Sequence, residues 1–336
     1  MKKMLALLAA IVLVMLPLPS LGTDLTAPED AALPPLADNQ DEPLSAPIDE
    51  AALSLQMLEK LNNTLYETAY QYLLEGKVLK SGVKGNAAKG LQQLIVLLGE
   101  ETAANGTLSS KTIASLNKVQ QAFGLTTGKE VKLEDFRGLM ACALYMLDAD
   151  SAGELLYDAY PQDQLEYWEA SACMQQERYY SAQMIFEFLS YLDSEKRAEQ
   201  CVQSWPKNGQ LYRNKSYKAT QCSLKIHAAM EQGEATYLKI YSLNEDLVST
   251  VFIAGSGSAT VKLPKGTYYI KIGTGSTWYG PAESFGDSYD AQYGKLTFDD
   301  NSEGNITLKS GYQYELTLGG VEDGNVGAEG EEWGSF

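Results

Sequence analysis

The chain has 336 residues, of which 45% are hydrophobic, and its formal net charge is −18. This length suggests two or three domains, because a domain typically has about 100–200 residues. The strong negative charge makes nucleic acid, anionic lipid and teichoic acid poor partners, since all of them are polyanions.

The first 22 residues have the pattern of a secretory signal. Lys2 and Lys3 precede an apolar stretch, Pro17 and Pro19 interrupt it, and small residues follow. The apolar stretch is too short to span a bilayer, which takes roughly 20 apolar residues. We therefore expect a secreted protein without a membrane span, beginning at Thr23. Residues 23–48 are rich in Pro, Ala and acidic residues, which predicts a disordered linker.

A leading helix is predicted over residues 49–74, where leucines recur every three or four positions. The next segment, residues 79–128, has the turns and apolar periodicity of a small helical module. Gly82 and Gly85 mark an entry turn, Asn86 can cap a helix, and Asn105-Gly106 predicts a second turn. Ser109 or Ser110 can cap the next helix, and residues 134–147 predict a third. The apolar positions of the first two helices are Ala87, Leu91, Leu94, Ile95, Leu98, Ile113, Leu116, Val119 and Phe123.

Residues 79–128 resemble the peptidoglycan-binding-like domain, a three-helix module that attaches exported bacterial proteins to the cell wall. The chain departs from the family pattern at Leu108-Ser109, where members usually have Phe-Gly. The resemblance implies a partner that is peptidoglycan or another cell-wall glycan. Modules of this family also dock proteins, so a protein partner is the alternative. The ligand-binding residues that the resemblance implies are Gly82, Gly85, Leu91, Asn105, Gly106 and Thr112.

Residues 151–235 are predicted to form a helical connector. Within it, an aromatic and alanine-rich stretch resembles one tetratricopeptide-type hairpin, with Ala170 facing Ala182. A single hairpin cannot bury its own faces, so we expect it to pack on a neighbour. Export permits disulfides, and a bridge between Cys173 and Cys201 is one reading of the four cysteines. Four buried free thiols are the other.

From residue 236 to residue 320 the hydrophobic period changes from 3.6 to 2, which predicts a small antiparallel β-sandwich. The phrase from Leu263 to Tyr268 is similar to one in sandwiches of the prealbumin-like or carboxypeptidase-regulatory type, which are mostly structural or adhesive. The last residues, 321–336, contain five acidic residues and no basic one, so they are predicted to be a disordered acidic tail.

A long aromatic loop is predicted between two of the strands. Its side chains Trp278, Tyr279 and Phe285 could stack on sugar rings, or they could plug the open end of a small core. The same loop contains Glu283 and Asp287, the best candidates for the paired carboxylates that a glycoside hydrolase needs.

The remaining reactive residues do not form a recognisable site. His227 is the only histidine, and Cys222 lies five positions before it, so the two would face opposite sides of a strand. The acidic turn at Asp299, Asp300 and Glu303 lacks the spacing of a calcium loop and predicts a hairpin tip. We therefore expect no catalytic residues, no metal and no cofactor.

Together these patterns predict a multidomain α+β protein. A three-helix peptidoglycan-binding-like bundle with its leading helix would span residues 49–150, followed by the hairpin and the sandwich. The expected function is a secreted, non-catalytic wall-binding protein, located in the cell wall or the extracellular space. An extracellular protein-docking scaffold is the alternative, and a carboxylate-based wall hydrolase is a third hypothesis.

Overall fold

The computed structural model describes residues 48–218, 220–298, 304–319 and 326–336. The predicted secretory signal, all but the last residue of the predicted linker, and the acidic turn at 299–303 lie outside these residues. The described residues form a mixed α+β structure, as expected. None of the helices in this part of the chain is long and apolar enough to cross a membrane.

The amino-terminal half of the described chain consists of α-helices that share one hydrophobic core. The core runs from Met57 to Cys201 and includes residues from all nine of the α-helices described. The predicted hairpin therefore has no core of its own. The helices are α1 (Glu50–Leu61), α2 (Thr64–Leu74), α3 (Asn86–Leu97), α4 (Ser110–Ala122), α5 (Leu133–Leu147), α6 (Ala149–Leu156), α7 (Gln162–Gln175), α8 (Tyr179–Phe186) and α9 (Ser194–Cys201).

The leading helix is broken in two, which corrects the prediction of one helix over residues 49–74. Asn62 adopts the left-handed conformation with φ of 45° and ends α1. The side chain of Asn63 then caps α2 by accepting a hydrogen bond from the amide of Leu65 at 3.0 Å. Two adjacent asparagines, which tolerate left-handed backbone and cap helices well, outweigh the continuous leucine periodicity.

The hairpin of α7 and α8 packs on its neighbour, as predicted. Trp168 is buried and its Nε1 donates to the carbonyl oxygen of Phe123, at the end of α4, at 3.0 Å. Arg197 on α9 donates from Nη2 to the carbonyl oxygen of Gln121 at 2.8 Å. The hairpin thus supplies one wall of the helical core.

The carboxyl-terminal half contains two sheets packed face to face. The larger has the strand order β12-β9-β8-β5-β6-β3, with β10 also paired to β8, and the smaller has the order β11-β4-β7. A two-residue pair, β1 (Leu79–Lys80) with β2 (Glu130–Val131), belongs to the helical half. The other strands are β3 (Gly209–Arg213), β4 (Cys222–Ala229), β5 (Ala235–Ser242), β6 (Leu247–Ala254), β7 (Ser256–Leu263), β8 (Gly266–Gly275), β9 (Gln292–Phe298), β10 (Asn305–Leu308), β11 (Gln313–Leu318) and β12 (Val326–Gly330).

The sandwich differs from the prediction in three respects. It begins before residue 236, because both β3 and β4 belong to its sheets. The period of two in β4 places Leu224 and Ile226 in the core. It is not wholly antiparallel, since β11 runs parallel to β4. Residues 326–330 form a strand paired with β9, and Trp333–Ser335 form a 3₁₀ turn, so this part of the predicted disordered tail is ordered.

The large sheet is covered on both faces. Leu238 and Ile240 of β5 point into the core between the sheets, whereas Tyr237 points to the other face. There Tyr237 and Phe252 pack with Trp278 and Phe285 from the loop at residues 276–291. This second cluster places the aromatic loop between the sandwich and the helical half.

Candidate functional site

Two turns of the segment at residues 79–128 lie side by side. The amide of Gly82 donates to the carbonyl oxygen of Leu108 at 2.8 Å, and the amide of Gly85 donates to that of Gly106 at 2.8 Å. All three glycines have positive φ, a conformation that residues with a Cβ rarely adopt. The entry turn and the Asn105–Gly106 turn, predicted separately, therefore form one backbone unit.

The side chain of Gln92, on α3, forms hydrogen bonds with the second of these turns. Its Oε1 accepts from the amide of Gly106 at 2.8 Å, and its Nε2 donates to the carbonyl oxygen of Thr107 at 2.9 Å and to Asn105 Oδ1 at 3.2 Å. Gln92 is 1% exposed, so its side chain lies beneath the turn that it contacts. This role of Gln92 was not predicted from the sequence, although a glutamine directly after Leu91 on the apolar face of a helix is the signal that could have revealed it.

Ser109, one of the two serines predicted to cap α4, is its N-cap residue and forms a capping box. Its Oγ accepts from the amide of Thr112 at 3.1 Å, while Oγ1 of Thr112 accepts from the amide of Ser109. The predicted cap at Asn86 is wrong, because Gly85 is the N-cap residue of α3 and has no side chain to contribute. Both helices are thus fixed where they meet the two turns.

An open groove of about 860 Å³ lies between the carboxyl-terminal half of α3 and the amino-terminal half of α4. Most of the residues that line it are polar or charged. Two of them form a salt bridge, with Lys118 Nζ 3.1 Å from Glu100 Oε2. None of the described residues that line it is aromatic. The charged and polar side chains of its lining include Glu100, Glu101, Thr102, Asn105, Lys111 and Lys118.

The six residues that the resemblance implies for ligand binding fall into three groups. Asn105 and Thr112 line the groove. The three glycines Gly82, Gly85 and Gly106 shape the turns beside it. Leu91 is fully buried, so direct ligand contact by its side chain is excluded and that prediction is corrected. It faces the core because it continues the apolar periodicity of α3.

The three aromatic residues proposed for sugar stacking are buried. Trp278 is 3% exposed, Tyr279 6% and Phe285 0%. Trp278 packs edge-on against Tyr237 and Phe252, with ring centroids 5.0 Å apart in both pairs. No ring face is open to a sugar, so the stacking role is corrected. The rings are buried, as the alternative expected, but they form a separate cluster on the other face of the large sheet and do not plug an open end of the core between the sheets.

Glu283 and Asp287 do not converge in a cleft. Glu283 is buried, and its Oε2 accepts from the amides of Tyr180 at 2.6 Å and Ser181 at 3.2 Å, while Oε1 accepts from the Ser181 hydroxyl. Asp287 is exposed, and its backbone oxygen accepts from the Tyr180 hydroxyl at 3.0 Å. Glu283 therefore caps α8, an arrangement that stabilises the positive end of a helix.

All four cysteines are free and buried in the structure, so the bridge expected between Cys173 and Cys201 is absent and the alternative is observed. Burial raises the pKa of the Cys173 thiol to about 11 and that of Cys201 to about 12. Thiols with raised pKa values react slowly, because the thiolate is the nucleophile. These residues have the properties of structural cysteines.

His227 and Cys222 lie on β4 and face opposite sides of it, as the spacing predicts. Cys222 points into the sandwich core, and His227 lies on the outer face between Ser258 of β7 and Thr317 of β11. Across the described parts of the chain, no group of three or more His, Cys, Asp or Glu residues could hold a metal ion.

No family model matches the chain, and no curated protein matches it. The groove beside the Gln92-anchored turns is the candidate functional site, and the support for it comes from the residues themselves.

Proposed function

We propose that this chain is a secreted, non-catalytic protein of a bacterial envelope that binds peptidoglycan through the groove between α3 and α4. In this proposal residues 49–150 are the peptidoglycan-binding-like module, the hairpin of α7 and α8 supports it, and the sandwich is a further module of the prealbumin-like type. The observation that carries the proposal is the pair of turns fixed by Gln92 at the edge of a polar groove.

The chemistry of the groove suits the peptide part of the wall. Lys111 can pair with a carboxylate of a stem peptide, and Glu101 can pair with an amine; both side chains are exposed. Asn105 offers its Nδ2 as a donor, since its Oδ1 already accepts from Gln92 Nε2 and from the amide of Thr107. Because the lining has no aromatic platform, contact would depend on hydrogen bonds and charge rather than on stacking.

Rigid placement of these groups supports binding over a structural role alone. A site whose backbone is fixed before the ligand arrives loses less conformational entropy on binding. Three part-buried hydrogen bonds between Gln92 and the turn at residues 105–107 fix the backbone in this way. The capping box at Ser109 fixes the opposite wall of the groove.

Sedimentation of the purified chain with insoluble peptidoglycan, stripped of teichoic acid, tests the proposal. We expect saturable co-sedimentation that Val96→Arg reduces at least tenfold, because Val96 is half-exposed within the groove. Leu55→Arg is the matched control: Leu55 is similarly exposed on α1, outside the groove. Equal binding by both variants, or no binding by the unchanged chain, would contradict the proposal.

Export belongs to the same proposal. When the full-length chain is expressed in a bacterium, the protein in the medium or wall fraction should begin at Thr23 after signal cleavage. Recovery of the intact chain from the cytoplasm alone would overturn the proposed location.

A docking scaffold for a protein partner is the second candidate, favoured by one specific observation. Phe188 is 82% exposed and Leu192 64% exposed, and Leu192 lines a second groove of about 840 Å³ beside α8 and α9. Exposed apolar patches of this kind mark protein interaction sites. If this function is correct, Phe188→Ser with Leu192→Ser will abolish retention of the chain on intact envelopes, whereas Val96→Arg will leave it unchanged.

A further inference from the structure

Three lysines stand side by side on the face of the large sheet that carries Tyr237. In the register of the strands, Lys239 of β5 lies opposite Lys271 of β8, and Lys271 lies opposite Lys295 of β9. Like charges directly opposite one another destabilise a sheet. The three adjacent ammonium groups are therefore unfavourable unless negative charges or hydrogen-bond acceptors lie against them.

The compensation comes from residues 326–336, which lie across the row. Glu329 of β12 is the register partner of Lys295, and Glu331 Oε2 lies 3.1 Å from Lys271 Nζ. Lys271 also donates to the carbonyl oxygen of Ser335, and Lys239 donates to that of Phe336 at 3.2 Å. Carboxylates and carbonyl oxygens of one short segment thus contact or face each lysine.

Two aromatic side chains anchor the same segment. The ring of Phe336 lies 4.9 Å from that of Tyr293 and 4.4 Å from Lys239 Nζ, measured from its centroid. Both rings lie over Gly273, where a Cβ would approach Tyr293 Cε1 to 2.9 Å and Phe336 Cζ to 3.2 Å. Trp333 packs edge-on against Tyr180 at 5.3 Å and donates from Nε1 to the carbonyl oxygen of Glu283 at 3.0 Å.

The segment is held at the surface and is not part of the core. None of residues 326–336 is buried, whereas Tyr237 and Gly273 beneath them are. Backbone pairing is confined to one edge, where β12 adds to β9. Strand addition at a sheet edge, with separate contacts for alternate side chains, is the way in which many proteins bind extended peptides.

We propose that the edge of β9, the lysine row and the surface over Gly273 form a peptide-binding site that residues 326–336 fill within one chain. The partner that fits it in trans is the same segment of a second copy: an extended peptide with the carboxylates of Glu329 and Glu331 and the aromatic rings of Trp333 and Phe336.

Fluorescence anisotropy with a labelled peptide of residues 326–336 tests this proposal on the full-length chain. A chain carrying Trp333→Ala and Phe336→Ala holds its own segment more weakly, so we expect it to bind the peptide at least tenfold more tightly than the unchanged chain. A control peptide with the same two substitutions should bind at least tenfold more weakly than the natural peptide.

A disulfide lock provides the decisive arm and does not depend on the weakened variant. Thr297 and Gly327 are register partners, and a Cβ at residue 327 would lie 3.0 Å from Thr297 Oγ1. In a Thr297→Cys, Gly327→Cys chain, oxidation should abolish peptide binding, and reduction should restore it. Equal binding by the oxidised and reduced forms, or no binding by the reduced form at any peptide concentration, would overturn the proposal.

Exchange between copies is the second readout. Two differently tagged full-length chains should co-purify after mixing and incubation, and the oxidised lock should prevent it. Co-purification that persists with both copies locked would overturn the assignment of this segment as the exchanging element.

Discussion

The carboxylate of Glu283 accepts a hydrogen bond from the backbone amide of Tyr180 at 2.6 Å, across 103 positions of sequence. Glu283 belongs to the loop of the sandwich and Tyr180 to the first turn of α8, so this contact joins the two halves of the described chain. The Tyr180 ring adds edge-on contacts to Tyr279 and Trp333. A buried charge at a helix start and a cluster of aromatic rings therefore act together at one junction.

Glu283→Ala should lower the free energy of unfolding by about 1–3 kcal/mol, because the amides of Tyr180 and Ser181 lose their acceptor. Urea denaturation measures this. Asp287→Asn is the control, since Asp287 is exposed and takes part through its backbone oxygen. Equal stabilities for the two variants would contradict the capping role.

Gln92→Leu should destabilise the chain by about 1–3 kcal/mol and free the turn at residues 105–107. Leucine fills the space of glutamine but leaves the Gly106 amide and the Thr107 carbonyl oxygen without their partner. Hydrogen exchange should show the Gly106 amide losing its protection. Gln121→Leu, at an exposed position of α4, should leave that amide protected; loss of protection in both variants would show that the effect is not specific to Gln92.

From the lowered pKa of Lys239 we predict that the free energy of unfolding rises between about pH 8 and pH 10. Burial, together with Lys271 opposite, lowers the pKa of Lys239 to about 8. An unfolded lysine has a pKa near 10.4, so between these values the unfolded chain binds more protons and the free energy of unfolding increases with pH. Below pH 8 both states are protonated, and the cost of burying the charge is present in full.

Lys239→Met should remove this dependence. Subtracting the pH profile of the variant from that of the unchanged chain isolates Lys239 from the tyrosines that titrate at higher pH. We expect the difference to favour the variant at pH 7 and to diminish towards pH 10, measured by urea denaturation. Lys265→Met, at an exposed position, should give a flat difference; a flat difference for Lys239→Met would contradict the prediction.

Because the four thiols are free and buried, we predict that thiol reagents modify the folded chain slowly. At pH 8 a disulfide reagent such as dithionitrobenzoate should react slowly, because burial raises the pKa of the thiols of Cys142, Cys173 and Cys201. In urea all four cysteines should react quickly. Fewer than four reactive thiols in urea, rising to four after reduction, would show a bridge that the structure does not contain.

The sequence predicted local structure well wherever one periodicity prevailed. The period of two from residue 236 onwards predicted the strands of the carboxyl-terminal half, and the glycine turns with the Ser109 cap located α3 and α4 correctly. It failed at β4, whose alternation of Leu224 and Ile226 was overlooked inside a region judged helical, and at Asn62, where backbone conformation outweighed leucine spacing. Its prediction of an acidic tail rested on charge alone, which cannot reveal that Glu331 has a lysine to pair with.

The candidate site was only partly predictable for a related reason. Asn105 and Thr112 follow from local turn and cap signals, whereas the role of Gln92 depends on contacts 13 to 15 positions away. Likewise, the loop aromatics could be recognised as large and apolar, but whether they face a ligand or a core is decided by Tyr237 and Phe252 on distant strands. Long-range packing, which no local pattern encodes, determined the outcome at both places.

Amide NMR of the isotopically labelled chain, titrated with soluble muropeptide fragments of peptidoglycan, tests the central claim most directly. We predict saturable shifts at Asn105, Gly106, Thr107 and Lys111, abolished by Val96→Arg and unaffected by Leu55→Arg. Amides around Phe188 and Leu192 should not move. Shifts confined to α8 and α9, or no shifts at saturating fragment concentrations, would contradict peptidoglycan binding in the groove between α3 and α4.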